Sequence, residues 1–269
     1  MPRVAGLFYS PQSFSFDNTL ASALSSRMNT GYRLPPGLNR KIGRCMHDYH
    51  MFAEGDKVLV AVSGGVDSLV LAWVLKMWQG KAPIHFELIF QHIDHGFWRE
   101  DSAMVDPAVA IGRQLLPFGI GLEIVTECGL EKVARTCFLC ARNRRRQLFD
   151  LAGERGCGKI AFGHHKDDLI ETFFLNALFS GNISTMMPRQ DIFDGTVALV
   201  RPLAYLEKSE VMQIAVALGV RPIENPCPLS HNTRREKIRE LLQGIYAVEP
   251  MAKNSIFAAL SNIRRDYLL

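Results

Sequence analysis

The sequence predicts an α/β fold, a doubly wound parallel sheet with helical N- and C-terminal extensions. Three observations carry this. Short apolar runs alternate with helical stretches between residues 57 and 200; the first run enters a glycine turn and then an apolar helix; and beyond Pro202 the pattern is helical alone. Strands joined by helices favour a parallel sheet covered on both faces.

The elements follow in order. Residues 1–36 are rich in Ser, Asn, Gly and Pro with weak periodicity, and Pro35-Pro36-Gly37 breaks what precedes it, so they read as a poorly specified arm. From 38 to 52, Leu38, Ile42, Met46 and Phe52 interleave with Arg40, Lys41 and Arg44, which predicts an amphipathic basic helix. Strands are expected at 57–62, 85–93, 122–126, 159–162 and 197–200, with helices at 68–78, 105–118, 138–154 and 168–179 between them. Further helices are expected at 208–218, 234–245 and 256–267. A core domain over 37–205 and a helical region over 206–269 result, without internal repeats or low-complexity tracts.

A chain of 269 residues, 48% hydrophobic and 22% charged, can bury one large core. No apolar run has the length of a membrane span and the N-terminal apolar segment is short for a secretory signal, so a cytoplasmic protein without a membrane partner is expected. The formal charge of +4 permits nucleic-acid binding without demanding it. Six cysteines in a chain this long are no disulfide framework, so Cys137-x-x-Cys140 points to metal or redox chemistry. Cys45, Cys128 and Cys157 match no site motif and read as apolar positions.

The stretch Lys57-Val-Leu-Val-Ala-Val-Ser-Gly-Gly-Val-Asp-Ser68 reads as a pyrophosphate-binding turn. Gly64 and Gly65 let the backbone turn its N–H groups toward an anion, and the following helix adds its positive end. No G-K-[ST] follows, so this is no Walker A loop. Ser63 and Ser68 offer hydroxyl donors; Asp67 either supports the helix start or orients the waters of a metal such as Mg²⁺. A second polar turn, Gly163-His-His-Lys-Asp-Asp168, ends another strand, and Asp168 with Glu171 has capping-box spacing. Two carboxylates and two imidazoles exceed what a cap needs, so Gly163 and His164 are expected to line a nucleotide pocket, with Asp168 as the cap. Cys137 and Cys140 open a helix, where thiolates are favoured, and Cys227 makes a third; from the residues alone zinc (with His231), a redox dithiol and an iron–sulfur cluster stand level.

Together, the two turns resemble the PP-loop ATP pyrophosphatase superfamily, which cuts ATP between the α- and β-phosphates. Cys137, Cys140 and Cys227 make the constellation similar to the tRNA 2-thiocytidine synthetase family, among the iron–sulfur-dependent tRNA thiolases. The resemblance covers about residues 38–245, including Arg201-Pro-Leu-Ala-Tyr205 and Pro222-Ile-Glu-Asn-Pro-Cys227. Val66 departs from the lysine usual in that loop, and Ser230 from a further cysteine.

The resemblance implies an ATP-dependent tRNA sulfurtransferase that adenylates an anticodon-loop cytidine and replaces its C2 oxygen with sulfur. It implies a 4Fe-4S cluster on Cys137, Cys140 and Cys227, ATP near Asp94, Asp167 handling a proton or polarising the sulfur species, and Arg144 stabilising hydrosulfide or the activated base. Sulfur would come from a cysteine desulfurase or sulfide, and a homodimer is compatible. Arg142, Arg145 and Arg146 are expected to point away from the cysteines and track tRNA; Arg234 and Arg235, with Lys237, Arg239, Arg264 and Arg265, form a second such track. Two rivals remain: an amide-forming ligase like the tRNA lysidine synthetases, compatible with Val66 and His92-Ile-Asp-His-Gly96, and a zinc-stabilised nucleotide-binding or regulatory protein.

Overall fold

The computed structural model describes residues 31–96, 98, 105–127, 136–223, 234–264 and 266, together with a two-residue strand β1 (Phe14–Ser15). The elements run α1 (Pro36–Asp48), β2 (Asp56–Ala61), α2 (Val66–Gln79), β3 (Phe86–Asp94), α3 (Pro107–Leu115) with a 3₁₀ turn at Leu116–Phe118, β4 (Leu122–Thr126), α4 (Cys137–Glu154), β5 (Lys159–Ala161) and α5 (Lys166–Phe179). They continue with β6 (Arg189–Ile192), β7 (Val197–Val200), α6 (Lys208–Leu218), α7 (Arg234–Val248) and α8 (Ala252–Ala259).

The strands form one sheet in the order β1-β4-β3-β2-β5-β7-β6. The five inner strands are parallel, and β1 and β6 pair antiparallel at the edges. Alternation along β2 shows how both faces are covered. Val58, Val60 and Val62 join a core with Ile42 of α1, Leu69 and Trp73 of α2, Ile111 of α3 and Ile214 of α6. Leu59 turns to the opposite face, with Leu148, Leu151 and Ala152 of α4 and with Ile160, Val197 and Leu199. Each such buried aliphatic side chain contributes on the order of 2 kcal/mol. The doubly wound reading therefore holds.

Three expectations are corrected. Arg189–Ile192 is a strand that the sequence pattern did not announce, the last helix is Ala252–Ala259 rather than 256–267, and α7 runs on to Val248. In addition, α6 buries Val211, Ile214, Ala215 and Leu218 in the same core as α2, so the main core extends beyond residue 205.

The chain order reverses between β2 and β5: β3 and β4 lie on one side of β2, β5 and β7 on the other. A reversal of this kind opens a crevice beyond the carboxyl ends of the strands. Both polar turns leave from that crevice.

Candidate active site

The turn after β2 is shaped by two residues. Gly64 has φ +88°, and a Cβ there would meet Ile111 Cδ1 at 2.9 Å, so backbone geometry and packing both require glycine. Ser68, 6% exposed, organises the turn from inside. Its Oγ accepts from Ser63 N (3.1 Å) and Gly64 N (3.2 Å) and donates to the Gly65 carbonyl (2.8 Å). The hydroxyl that was expected to donate to phosphate thus holds the loop's shape. Gly65 is the N-cap of α2, Val66 packs into the core, and Asp67 pairs with Lys208 Nζ at 2.6 Å rather than capping. Across the loop, Ile223 N donates to Gly64 O at 3.0 Å.

The turn after β5 packs directly on the first. A Cβ at Gly163 would lie 2.8 Å from the Asp67 backbone. His165 is the N-cap of α5, and Asp168 accepts from its backbone N at 3.0 Å, so the capping box is His165 with Asp168 and not Asp168 with Glu171. Glu171 instead receives a two-pronged contact from Arg239, at 2.6 and 3.1 Å, which fastens α7 to α5.

A cavity of about 510 Å³ lies over the crevice. It is lined by Ser63, Gly65, Asp67 and Ser68 from the first turn, by Gly163, His164 and Asp168 from the second, and by Asp94 and its neighbours at the end of β3. The Asp94 carboxylate accepts from Gly96 N (2.8 Å) and Trp98 Nε1 (3.1 Å), which shapes the loop beyond the strand. His92 Nδ1 donates to the Val62 carbonyl at 2.8 Å, and burial holds its pKa down, so a neutral imidazole faces the cavity.

The remaining wall is α4. Ala141, Arg144, Arg145 and Leu148, at i, i+3, i+4 and i+7, form one face of the helix on the cavity. This corrects the expectation for Arg145: consecutive helical residues are about 100° apart, so a stripe of this width includes both arginines. Arg142 and Arg146 are exposed, the latter beside Asp150. Cys140 is buried at the first turn of the same helix.

Asp167 does not line the cavity. Its oxygens accept from Lys253 Nζ (2.9 Å) and Lys208 N (2.8 Å), and its pKa lies well below the carboxylate range because these bonds and that from His165 outweigh burial. His165, with carboxylate oxygens of Asp67, Asp167 and Asp168 at 3.8, 3.5 and 3.3 Å, has its pKa raised, the carboxylates overcoming burial. His164 goes the other way, down to about 4, through burial and the Arg201 charge.

Arg235 was expected on a tRNA track, but it reaches Asp168 at 3.4 Å and Thr172 at 3.2 Å within the α5–α7 contact. Arg234 is exposed, its guanidinium 5.0 Å from the Phe179 ring. Cys128, Cys227, Ser230, His231 and Arg265 lie outside the described residues, and of Cys137 only the backbone is described. Among the described residues no three His, Cys, Asp or Glu side chains are grouped to hold a metal. Cys140, the one expected cluster ligand with a described side chain, fits such a role as a buried thiol beside the cavity wall. Sequence reasoning missed Lys208, Lys253, Arg201 and the pair of His95 Nδ1 and Glu127 Oε2 at 3.0 Å. No described helix is long and apolar enough to cross a membrane.

A parallel α/β sheet with a glycine anion turn at its switch point, facing a second polar turn, defines a PP-loop protein. The PP-loop domain profile matches residues 36–245, and the chain belongs to that family. It is 34% identical over 247 residues to the tRNA-cytidine(32) 2-sulfurtransferase of Cupriavidus necator, covering 90% of this chain and 78% of the relative. A protein of the same name from Geobacter metallireducens is 33% identical over 237 residues, covering 85% and 90%. Among solved structures, the U34-tRNA thiolase NcsA from Methanococcus maripaludis, with its 4Fe-4S cluster, superposes with a TM-score of 0.67 at 25% identity, over 84% of this chain and 77% of that one.

Proposed function

We propose that the protein is an ATP-dependent tRNA sulfurtransferase that converts an anticodon-loop cytidine, position 32 by analogy with the relatives' names, to 2-thiocytidine. The observation that carries this is the meeting of the 63–68 turn and the Arg144–Arg145 face of the C-x-x-C helix on one cavity. A nucleotide held by the turn and a base facing α4 would share one space.

The turn and the N-terminus of α2 grip the departing pyrophosphate, whose charge Mg²⁺ would balance when bound. The cytidine C2 oxygen attacks the α-phosphorus; the new O–P bond forms as the bond to pyrophosphate breaks. A sulfur nucleophile then adds at C2 and AMP leaves with the former C2 oxygen. Arg144 and Arg145 stabilise the anions that develop. A 4Fe-4S cluster on Cys137, Cys140 and Cys227 would supply the sulfur species when bound; the described chain enters the cavity lining at Ile223, four residues before Cys227. A single-stranded loop base can be splayed into such a cavity, whereas a paired base cannot.

Nucleoside mass spectrometry of tRNA from a deletion strain, with and without a plasmid copy, tests the reading. Loss of 2-thiocytidine that the wild-type gene restores and Cys140→Ala does not is the expected result. Unchanged thiolation on deletion, or anaerobic reconstitution without iron–sulfur absorbance, would sink it.

A further inference from the structure

His92 lies near the end of β3, 6% exposed, and the chemistry proposed for the site makes no use of it. Its Nδ1 is 2.8 Å from the Val62 carbonyl oxygen, which can only accept, so Nδ1 carries the proton. Burial keeps the imidazole neutral, outweighing the Val62 bond and the Asp94 charge. The other nitrogen, Nε2, is therefore left with a lone pair, and it has no hydrogen-bond partner among the described residues. Nor is Nε2 sealed in the core: it stays open to the cavity that His92 lines.

The two routes to the expected sulfur ligands meet over this residue. On one face of the sheet, α4 brings Ala141, Arg144 and Arg145 to the cavity from the C-x-x-C turn. On the other, Ile223 enters the lining, its N bonded to Gly64 O at 3.0 Å, four residues before Cys227. β3 pairs with β2, so its carboxyl end stands beside the anion turn. A base that receives sulfur between these walls lies over the ends of β2 and β3, where His92 is.

A lone pair held in one place selects the group it faces. Cytosine offers its C4 amine, a donor; uracil has a carbonyl oxygen at the same position, and two facing acceptors would both go unpaired. We propose that His92 reads the C4 amine of the reacting cytosine through Nε2 and thereby excludes uracil. The Val62 carbonyl positions the ring and fixes its tautomer. The contact also serves adenylation. As the C2 oxygen attacks the α-phosphorus, electron density moves from the amine nitrogen into the ring, the amine becomes a stronger donor, and its bond to Nε2 tightens in the transition state. No proton changes place. The inference rests on the thiolase reading for the base, while the acceptor follows from the geometry of His92 alone.

Binding of an anticodon stem-loop RNA to the full-length protein, with cytidine or uridine at position 32, tests this contact. The wild type is expected to prefer the cytidine RNA by about tenfold. His92→Asn keeps a donor for the Val62 carbonyl but ends short of the Nε2 position, so the cytidine RNA should weaken about tenfold and the uridine RNA should not change. His92→Gln reaches that position with an amide that can turn either way. It should hold the cytidine RNA and gain affinity for the uridine RNA, an outcome that a merely structural role of His92 would not produce. If His92→Asn does not fold, His92→Gln carries the test. Adenine has an exocyclic amine too. A lost preference for ATP over inosine triphosphate in His92→Asn, with the RNA ratio unchanged, overturns the proposal. So does a wild type indifferent to the base, or the same RNA ratio in all the folded proteins. If the ratio falls as expected while tRNA from the deletion strain keeps its 2-thiocytidine, the cytosine contact stands and the thiolase reading falls.

Discussion

Gly163 sits against Asp67 so closely that an added Cβ would lie 2.8 Å from the main-chain carbon and oxygen of Asp67 and 3.0 Å from Ser68 N. The atoms in the way are backbone at the start of α2, so neither turn can yield by rotating a side chain. Gly163→Ala should therefore separate the two turns, destabilise the fold by about 1–3 kcal/mol and weaken ATP binding. Gly158→Ala, with open space around its Cβ, is the control and should leave both unchanged. Equal ATP affinities in the two variants by calorimetry would show that the close approach has no part in the nucleotide site.

Ser68 fixes the anion turn from within, because one hydroxyl accepts from two backbone N–H groups and donates to a carbonyl. Ser68→Ala leaves these groups unsatisfied and should lower stability by about 1–3 kcal/mol. ATP affinity should fall with it. Ser63→Ala removes a hydroxyl that donates to Ser68 Oγ at 3.2 Å but leaves both backbone N–H groups and the Gly65 carbonyl bonded to Ser68, so it should cost less than Ser68→Ala, and comparable thermal losses in the two variants would refute the internal role of Ser68.

How far this architecture is legible from residues depends on where each signal originates. Val58, Val60 and Val62 announce β2 because their alternation is the packing itself, and Gly64 announces its turn because only glycine suits that φ and that neighbour. Arg189–Ile192 carries no such mark. Its four residues are mostly polar, and its strand state comes from pairing with Val197–Val200. Arg235 was legible as a cation, but its partner Asp168 is 67 positions away, and sequence spacing does not report a contact made by helix packing. Asp167 was misplaced for the same reason: what draws its carboxylate from the cavity is Lys253, 86 positions along.

The imidazole of His164 gives the fold a defined response to acid. Its native pKa of about 4 lies below the ordinary imidazole value of 6.5. Between these values the unfolded chain binds a proton that the native state refuses, so His164 contributes stability above about pH 6.5 that is lost as pH falls toward 4. The loss amounts to about 3 kcal/mol at pH 4. His165 has the opposite shift; its contribution is full below its unfolded value and is lost only as pH rises through the raised native value, so it adds no slope in the acid window. Urea midpoints measured from pH 7 to pH 4 should fall more steeply for the wild type than for His164→Gln. Parallel curves would show that His164 is not held neutral.

The fastening of α7 to α5 can be separated from the chemistry. Glu171 is 4% exposed, and both its oxygens are taken by Arg239, with Arg235 Nε 3.7 Å away. Removing Arg239 leaves a buried carboxylate with one distant cation, a change that for fully buried pairs costs about 3–5 kcal/mol. Half of the Arg239 side chain is exposed and Arg235 remains, so Arg239→Met should cost about 2 kcal/mol instead. Replacing both partners, Glu171→Met with Arg239→Met, removes the buried charge as well as its counter-ion, and should recover part of that loss. ATP affinity should stay at the wild-type value in every case, because neither side chain lines the cavity. Urea midpoints for the two single variants and the double variant give the coupling directly; additive losses would mean that the two charges do not act as a pair.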